Sequence, residues 1–153
     1  APVTPEISPV NCPDSRSGAK ISRQAYIGLT HRVPNHILHA IFNAISQAIG
    51  ERSLGFYADE ACENGVKDSK KYLEIVLKKM KSQKFKLNSL GLMIECKKPK
   101  IDPLVSQLKK SLAKILNLDS RRIGITATSG ENLTAFGQGL GIQCFAIVSL
   151  VKR

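Results

Sequence analysis

The sequence predicts an α/β sandwich, one sheet covered by helices. Three observations carry that prediction. Stretches with apolar residues at helical spacing recur along the chain. Short strand-like runs alternate with them in the order β-α-loop-α-β-α-β-β. The chain then closes on Ile142 to Val151, apolar almost throughout, as expected of a buried central strand.

The elements follow in order. Residues 1–20 carry Pro2, Pro5, Pro9 and Pro13 among Ser and Asp, which predicts an irregular arm. Residues 21–153 then form one domain, opening with a short strand at 21–31 through Ile21, Ala25, Tyr26, Ile27 and Leu29. Pro34 breaks the chain, Asn35 can cap a helix and Gly50 can close it. Between them Leu38, Ile41, Ile45, Ala48 and Ile49 form one apolar stripe. Residues 51–67 read as a polar loop that includes Asp59. A second helix is expected from about Asp68 to Ser82, buried through Leu73, Val76, Leu77 and Met80. A strand follows at Ser89 to Cys96. Asp102-Pro103 opens a third helix with proline at its first position, and Leu104, Leu108, Leu112, Ile115 and Leu116 form its stripe. Ile123 to Ala127 is a strand ending in the turn Thr128 to Asn132.

Composition narrows the partners. The 153 residues suit a single core, and 42% are hydrophobic. No apolar run approaches the roughly 20 residues of a membrane span. The net charge of +11 favours anionic partners such as nucleic acid, phosphorylated metabolites or an acidic protein surface. Lys70, Lys71, Lys78, Lys79 and Lys81 on the second helix, with Lys97, Lys98 and Lys100 beyond the next strand, are the candidate anionic-partner surface, able to track a phosphate backbone such as RNA. Phe and Tyr are too few for a base-stacking platform. Cys12, Cys62, Cys96 and Cys144 form no CxxC pair, which argues against a zinc ribbon and for a reducing compartment. A chain beginning at Ala1 fits a trimmed start or a removed import signal, hence an organelle interior, mitochondrion or plastid.

Three segments carry candidate chemistry. All three histidines, His31, His36 and His39, fall together at the start of the first helix, and neutral imidazole is the commonest side-chain ligand of transition metals. Core packing or capping is the competing role. Gly137-Gln-Gly-Leu-Gly141 precedes a strand, so it reads as a tight turn rather than a dinucleotide loop. Ala127-Thr-Ser-Gly-Glu131 follows a strand, where ligands of α/β folds gather, and its hydroxyls and amides suit a phosphate or a base.

Together these segments resemble 2-C-methyl-D-erythritol 2,4-cyclodiphosphate synthase, a family of non-mevalonate isoprenoid synthesis, over about residues 21–153. The family's His-Ser-Asp-Gly-Asp-x-x-x-His-Ala stretch has the length of His31 through Ala40, with His31 and His39 in register. Its Ala-Thr-Thr-x-Glu-x-Leu-Gly-Phe-x-Gly-x-Gly-x-Gly-Ile pattern is met by Ala127, Thr128, Ser129, Glu131, Leu133, Gly137, Gly139, Gly141 and Ile142. Lys97 to Lys100 occupy an x-x-Pro-Lys turn. The resemblance implies a cyclodiphosphate-synthase-like sandwich, a homotrimer with sites at subunit boundaries, zinc on one Asp and two His, a second divalent cation on the diphosphate, and cytidine on the Ala127–Glu131 segment. The implied reaction releases CMP as a phosphorus–oxygen lyase.

The chain departs from the family at the metal end. It contains no Asp-x-His; Asp14-Ser-Arg16 stands nearest, and an arginine cannot donate a lone pair. Arg32, Val33, Pro34 and Asn35 replace the acidic stretch, and Tyr57-Ala58-Asp59 stands for Phe-Pro-Asp. Gln138 and Leu140 replace charged residues near the family's three-fold axis. His39, Asp14 and Asp59 are thus vestigial metal residues by resemblance, and Ala127, Thr128, Ser129 and Glu131 vestigial nucleotide residues. The sequence leads with a non-catalytic structural or binding subunit, of a larger assembly or a homotrimer, in an organelle assembly containing RNA, needing no cofactor and with no confident catalytic residue. The alternative is a divergent active synthase using zinc and a second divalent cation.

Overall fold

The structure is a computed structural model that describes residue 33 and residues 35–65 and 69–153; of residues 59–62 and 69 it gives the backbone alone. The expected arm and first strand, with Asp14 and His31, lie outside the described residues.

Helix α1 spans Asn35–Ala48. It buries Ile37, Leu38, Ile41, Phe42 and Ile45, with Ile49 buried just beyond its end; Ile37 and Phe42 add to the expected stripe, whereas Ala48, expected in it, is exposed. It ends at Gly50, whose φ of +75° suits a residue without Cβ. Glu51 N donates to Ser46 O at 2.8 Å and Gly50 N to Gln47 O at 3.2 Å, the paired bonds that satisfy a helix's last carbonyls.

The next segment corrects the sequence reading. Residues expected as a polar loop form helix α2, Leu54–Glu63. Leu54 and Ala58, one turn apart, are buried, and Leu54 N donates to Asn43 Oδ1 at 3.0 Å. Tyr57 packs at 5.8 Å from Phe42 and donates its hydroxyl to Glu51 at 2.6 Å. Two short apolar anchors and tertiary contacts hold a helix whose own pattern is weak.

Helix α3, Ser69–Ser82, buries Tyr72, Leu73, Val76 and Met80. Strand β1 runs Phe85–Glu95, four residues earlier than the sequence suggested. Asp102–Leu104 forms a single 3-10 turn, with no side-chain cap, that leads into α4, Val105–Leu116. Strand β2 is Ile123–Thr128 and β3 is Gln143–Lys152.

The described strands form one sheet in the order β2-β1-β3. β2 lies parallel to β1 and β3 antiparallel to it. Among the described residues β1, not the closing strand, therefore takes the middle position. Alternation along a strand separates the two faces. Leu90, Leu92 and Ile94 are buried on the helix-covered face. Opposite them, Val148, Ala146 and Cys144 of β3 and Ile123, Ile125 and Ala127 of β2 join the same core. Val148 and Ala146, expected to be fully buried, are half-buried because β3 flanks the sheet. The other face exposes Met93, Phe145 and Ile147, the last at 78%. No described helix is long and apolar enough to cross a membrane.

Candidate functional site

The polar segment after β2 is placed by the strands beneath it. Thr128 pairs with Glu95 at the carboxyl end of the parallel β1–β2 pair, and Cys96 N donates to Thr128 O at 3.0 Å. The chain then turns sharply. Gly130, Glu131 and Asn132 take φ of +73°, +48° and +62° in succession. Left-handed backbone at non-glycine residues costs on the order of 1 kcal/mol each and gathers at ligand-binding turns. Two hydroxyls hold the turn: Thr128 Oγ1 accepts from Gly130 N at 3.2 Å, and Ser129 Oγ accepts from Glu131 N at 3.4 Å.

The return limb closes on the same place. Thr134 donates its hydroxyl to Glu95 Oε1 at 2.5 Å and accepts from Gly137 N at 2.9 Å. Gly130 and Gly137 meet backbone to backbone. A Cβ at Gly130 would lie 2.7 Å from Gly137 Cα, and one at Gly137 would lie 2.6 Å from Gly130 O. That approach requires glycine at both positions. Gln138 Nε2 donates to Asn132 O at 3.3 Å, and Lys97 Nζ donates to Asn132 Oδ1 at 3.4 Å. The run Gly137–Gly141 is the tight inter-strand connection that its position before β3 predicts.

The structure thus gathers Thr128, Ser129 and Glu131 on an exposed lip, with Lys97 beside it. Ala127 differs, because its side chain joins the core and only its backbone reaches the lip. The amides of Gly130 and Glu131 are used within the turn. The protons of the two hydroxyls remain as donors toward a ligand. Glu95 and Thr134 frame this lip and escaped the sequence reading. They stand 39 residues apart, and only strand register brings them together.

The metal end is built differently. His36 and His39 lie one helical turn apart at the start of α1. Both ring nitrogens of His36 and Nε2 of His39 are buried and accept or donate no hydrogen bond. Burial, with the nearby His39 ring adding to it, pulls the His36 imidazole down to about 4; burial pulls His39 down as well. Both rings are therefore neutral near pH 7, the form that binds a cation. Asp59 lies on α2 rather than in a loop, and its side chain is outside the described set. Among the described residues no three His, Cys, Asp or Glu side chains stand together. The imidazoles fit a cation; a complete set of one Asp and two His is not assembled from the described residues.

The lysines divide between two places. Lys70, Lys71, Lys78 and Lys81 are exposed on α3, whereas Lys79 leans on Tyr57 at 5.2 Å and reaches Glu51 at 3.7 Å. Lys97, Lys98 and Lys100 are exposed at the other location, beyond the carboxyl end of β1. Cys96 and Cys144 are free thiols whose burial pushes them up to about 11, and Cys96 Sγ donates to Lys98 O at 2.7 Å.

Comparison with known proteins places the chain among relatives. The 2-C-methyl-D-erythritol 2,4-cyclodiphosphate synthase of Chlamydia trachomatis serovar L2b is 38% identical over 117 residues, covering 76% of this chain and 65% of that enzyme. The synthase of Chlamydia abortus is 41% identical over 117 residues, covering 76% and 66%. The chain thus spans a little under two thirds of these relatives. Among solved structures, a 2C-methyl-D-erythritol-2,4-cyclodiphosphate synthase superposes with a TM-score of 0.66 at 26% identity, over 74% of each chain. A Plasmodium falciparum IspF in complex with CDP superposes with a TM-score of 0.70 at 21% identity, over 80% of this chain and 74% of that one, a likeness of fold. Residues 30–151 match the model of the YgbB family, and the chain belongs to that family.

Proposed function

We propose that this chain acts in the cyclisation that its curated relatives are named for, releasing CMP while forming 2-C-methyl-D-erythritol 2,4-cyclodiphosphate, as a divergent synthase. The observation that carries this reading is the lip at Thr128–Glu131. Its turn is held by its own hydroxyls, and it is closed by Glu95 and Thr134 at the carboxyl end of two parallel strands, where α/β folds bind ligands. The hydroxyls of Thr128 and Ser129 would orient the cytidine diphosphate group, and Lys97 would offset its charge. A cation on the His39 imidazole would polarise a phosphoryl oxygen. Sheet faces that expose Met93, Phe145 and Ile147 favour assembly as a homotrimer that covers them.

The direct test is turnover. Purified protein with zinc and magnesium should release CMP from the cytidine diphosphate 2-phosphate substrate, and Thr128→Val with Ser129→Ala should abolish it. A folded protein that binds CDP yet never turns over would leave the second reading, a non-catalytic subunit. The exposed lysines of α3 favour that second reading, since they lie on a different element from the lip and suit an anionic partner such as RNA. Nuclease treatment of the native assembly would separate an RNA partner from an acidic protein.

A further inference from the structure

The synthase reading gives the orphaned ring of His36 no role. In the synthase-like pattern His31 through Ala40, position 36 falls on an unspecified place, so the resemblance gives His36 no function. The structure nevertheless buries both its ring nitrogens without a hydrogen-bond partner. An imidazole buried this way carries a desolvation penalty that an apolar side chain of similar size would not. One turn along the helix, His39 carries the same defect at Nε2. Three unpartnered nitrogens thus lie on histidines three residues apart on one helix. Ile37 and Leu38, which lie between them in sequence, are 0% and 3% exposed and turn into the core.

We propose that His36 is a transition-metal ligand particular to this chain, joining on the same helical turn His39, which the resemblance already gives to the family's zinc. Ligands three residues apart on one helix serve a shared metal site in helical carboxylate–histidine proteins. Two imidazoles leave positions on a tetrahedral ion for water or a phosphoryl oxygen. The departure from the family at Arg32 to Asn35 removes acidic residues from this turn, and His36 brings a donor to the same turn. The inference deepens the synthase reading and rests on it only for what the bound cation would do.

The test uses the full chain, stripped with chelator, and metal alone as the probe. Zinc should bind at about one equivalent per chain by calorimetry, and cobalt should give the d–d absorption of a low-coordinate nitrogen site. His36→Gln and His39→Gln should each weaken zinc at least about tenfold, and the double variant should abolish the cobalt spectrum. Circular dichroism checks that each variant folds. If they do not fold, the unaltered chain still decides: the imidazole nitrogen resonances of both His36 and His39 should move with one equivalent of zinc. Binding that ignores His36→Gln, or zinc that leaves the His36 resonances in place, overturns the inference. Zinc bound at His36 in a protein with no turnover would instead refute the synthase reading and leave this site standing.

Discussion

The loop after β2 and the first turn of α1 are both polar, and they treat their polar atoms in opposite ways. In the loop, Thr128, Ser129, Thr134, Glu95, Gln138 and Asn132 bond to one another or to nearby backbone. At α1, three buried imidazole nitrogens bond to nothing. A closed polar network stabilises the fold that holds it, whereas an open one is a liability until something binds. The loop is thus a finished piece of architecture whose outward hydroxyls meet a ligand. The histidine turn is completed by what it binds.

The sharpest way to break this contrast is at the glycine contact. Gly130→Ala forces a Cβ to within 2.7 Å of Gly137 Cα at a φ of +73°. The Gly137 backbone cannot yield, and the nearest atom, the Glu95 carboxylate, is held by Thr134. The variant should lose about 3 kcal/mol, read as a lower urea midpoint at constant slope. Gly50→Ala is the control: it shares a positive φ of +75° but meets nothing within 4 Å, so it should lose only about 1 kcal/mol. Equal losses at the two sites would mean that the loop is not closed by that contact.

A smaller effect of opposite sign separates the two regions. Thr134→Val removes the donor to Glu95 and should destabilise by about 1 kcal/mol. His36→Leu removes a buried ring with no partner, so the metal-free protein should be unchanged or more stable by up to about 1 kcal/mol. Thermal melts in chelator give both values. A marked fall in the melting temperature of His36→Leu would show that the ring already has a partner in the apo protein, and the contrast would collapse.

The two thiols extend the comparison to reactivity. Cys96 and Cys144 are held protonated near neutral pH by burial, pushed up to about 11. The thiolate is the nucleophile, so neither should be alkylated at pH 8 on the timescale of a free thiol. Peptide mapping after native alkylation should find both intact, and both modified after denaturation. Rapid native modification of Cys96 would place the end of β1, and the lip above it, in an open state.

The sequence made the fold legible where burial follows a period. The stripe of α1, the run of α4 and the strands at Ile123 and Gln143 all announce themselves, because each is apolar on one face. It failed where stability is borrowed. Helix α2 is anchored by Leu54, Ala58 and Tyr57 against other elements, so its own letters read as loop. Strand order was misjudged because β3 is apolar on both faces. One face meets the helices, and the other exposes Phe145 and Ile147, so an unbroken apolar run did not require the middle position. Within the site, Thr128, Ser129 and Glu131 were legible as a motif. Glu95 and Thr134 were not, since a pair 39 residues apart leaves no local trace. His36 was visible as a histidine, but that its nitrogens are orphaned is a property of packing alone.

The smallest effect comes from a third polar arrangement, fully at the surface, where neither closure nor burial acts. Asp119 caps the turn before β2, accepting from Arg121 N at 2.9 Å and from the Arg121 guanidinium at 2.8 Å. Those hydrogen bonds hold its carboxyl down to about 2, against an ordinary value of 3.8. A carboxylate whose folded value is depressed binds fewer protons folded than unfolded. Its contribution is complete above about pH 4 and fades as the pH falls through 2. Solvent screens such a pair, so its weight is slight. Asp119→Asn should therefore lower the urea midpoint slightly at pH 7, and the gap from the unaltered chain should narrow progressively below pH 4. Salt should narrow the gap further at pH 7, because both partners are exposed. A gap that persists at pH 2 would mean that the cap acts through its geometry, which asparagine disturbs, and not through its charge.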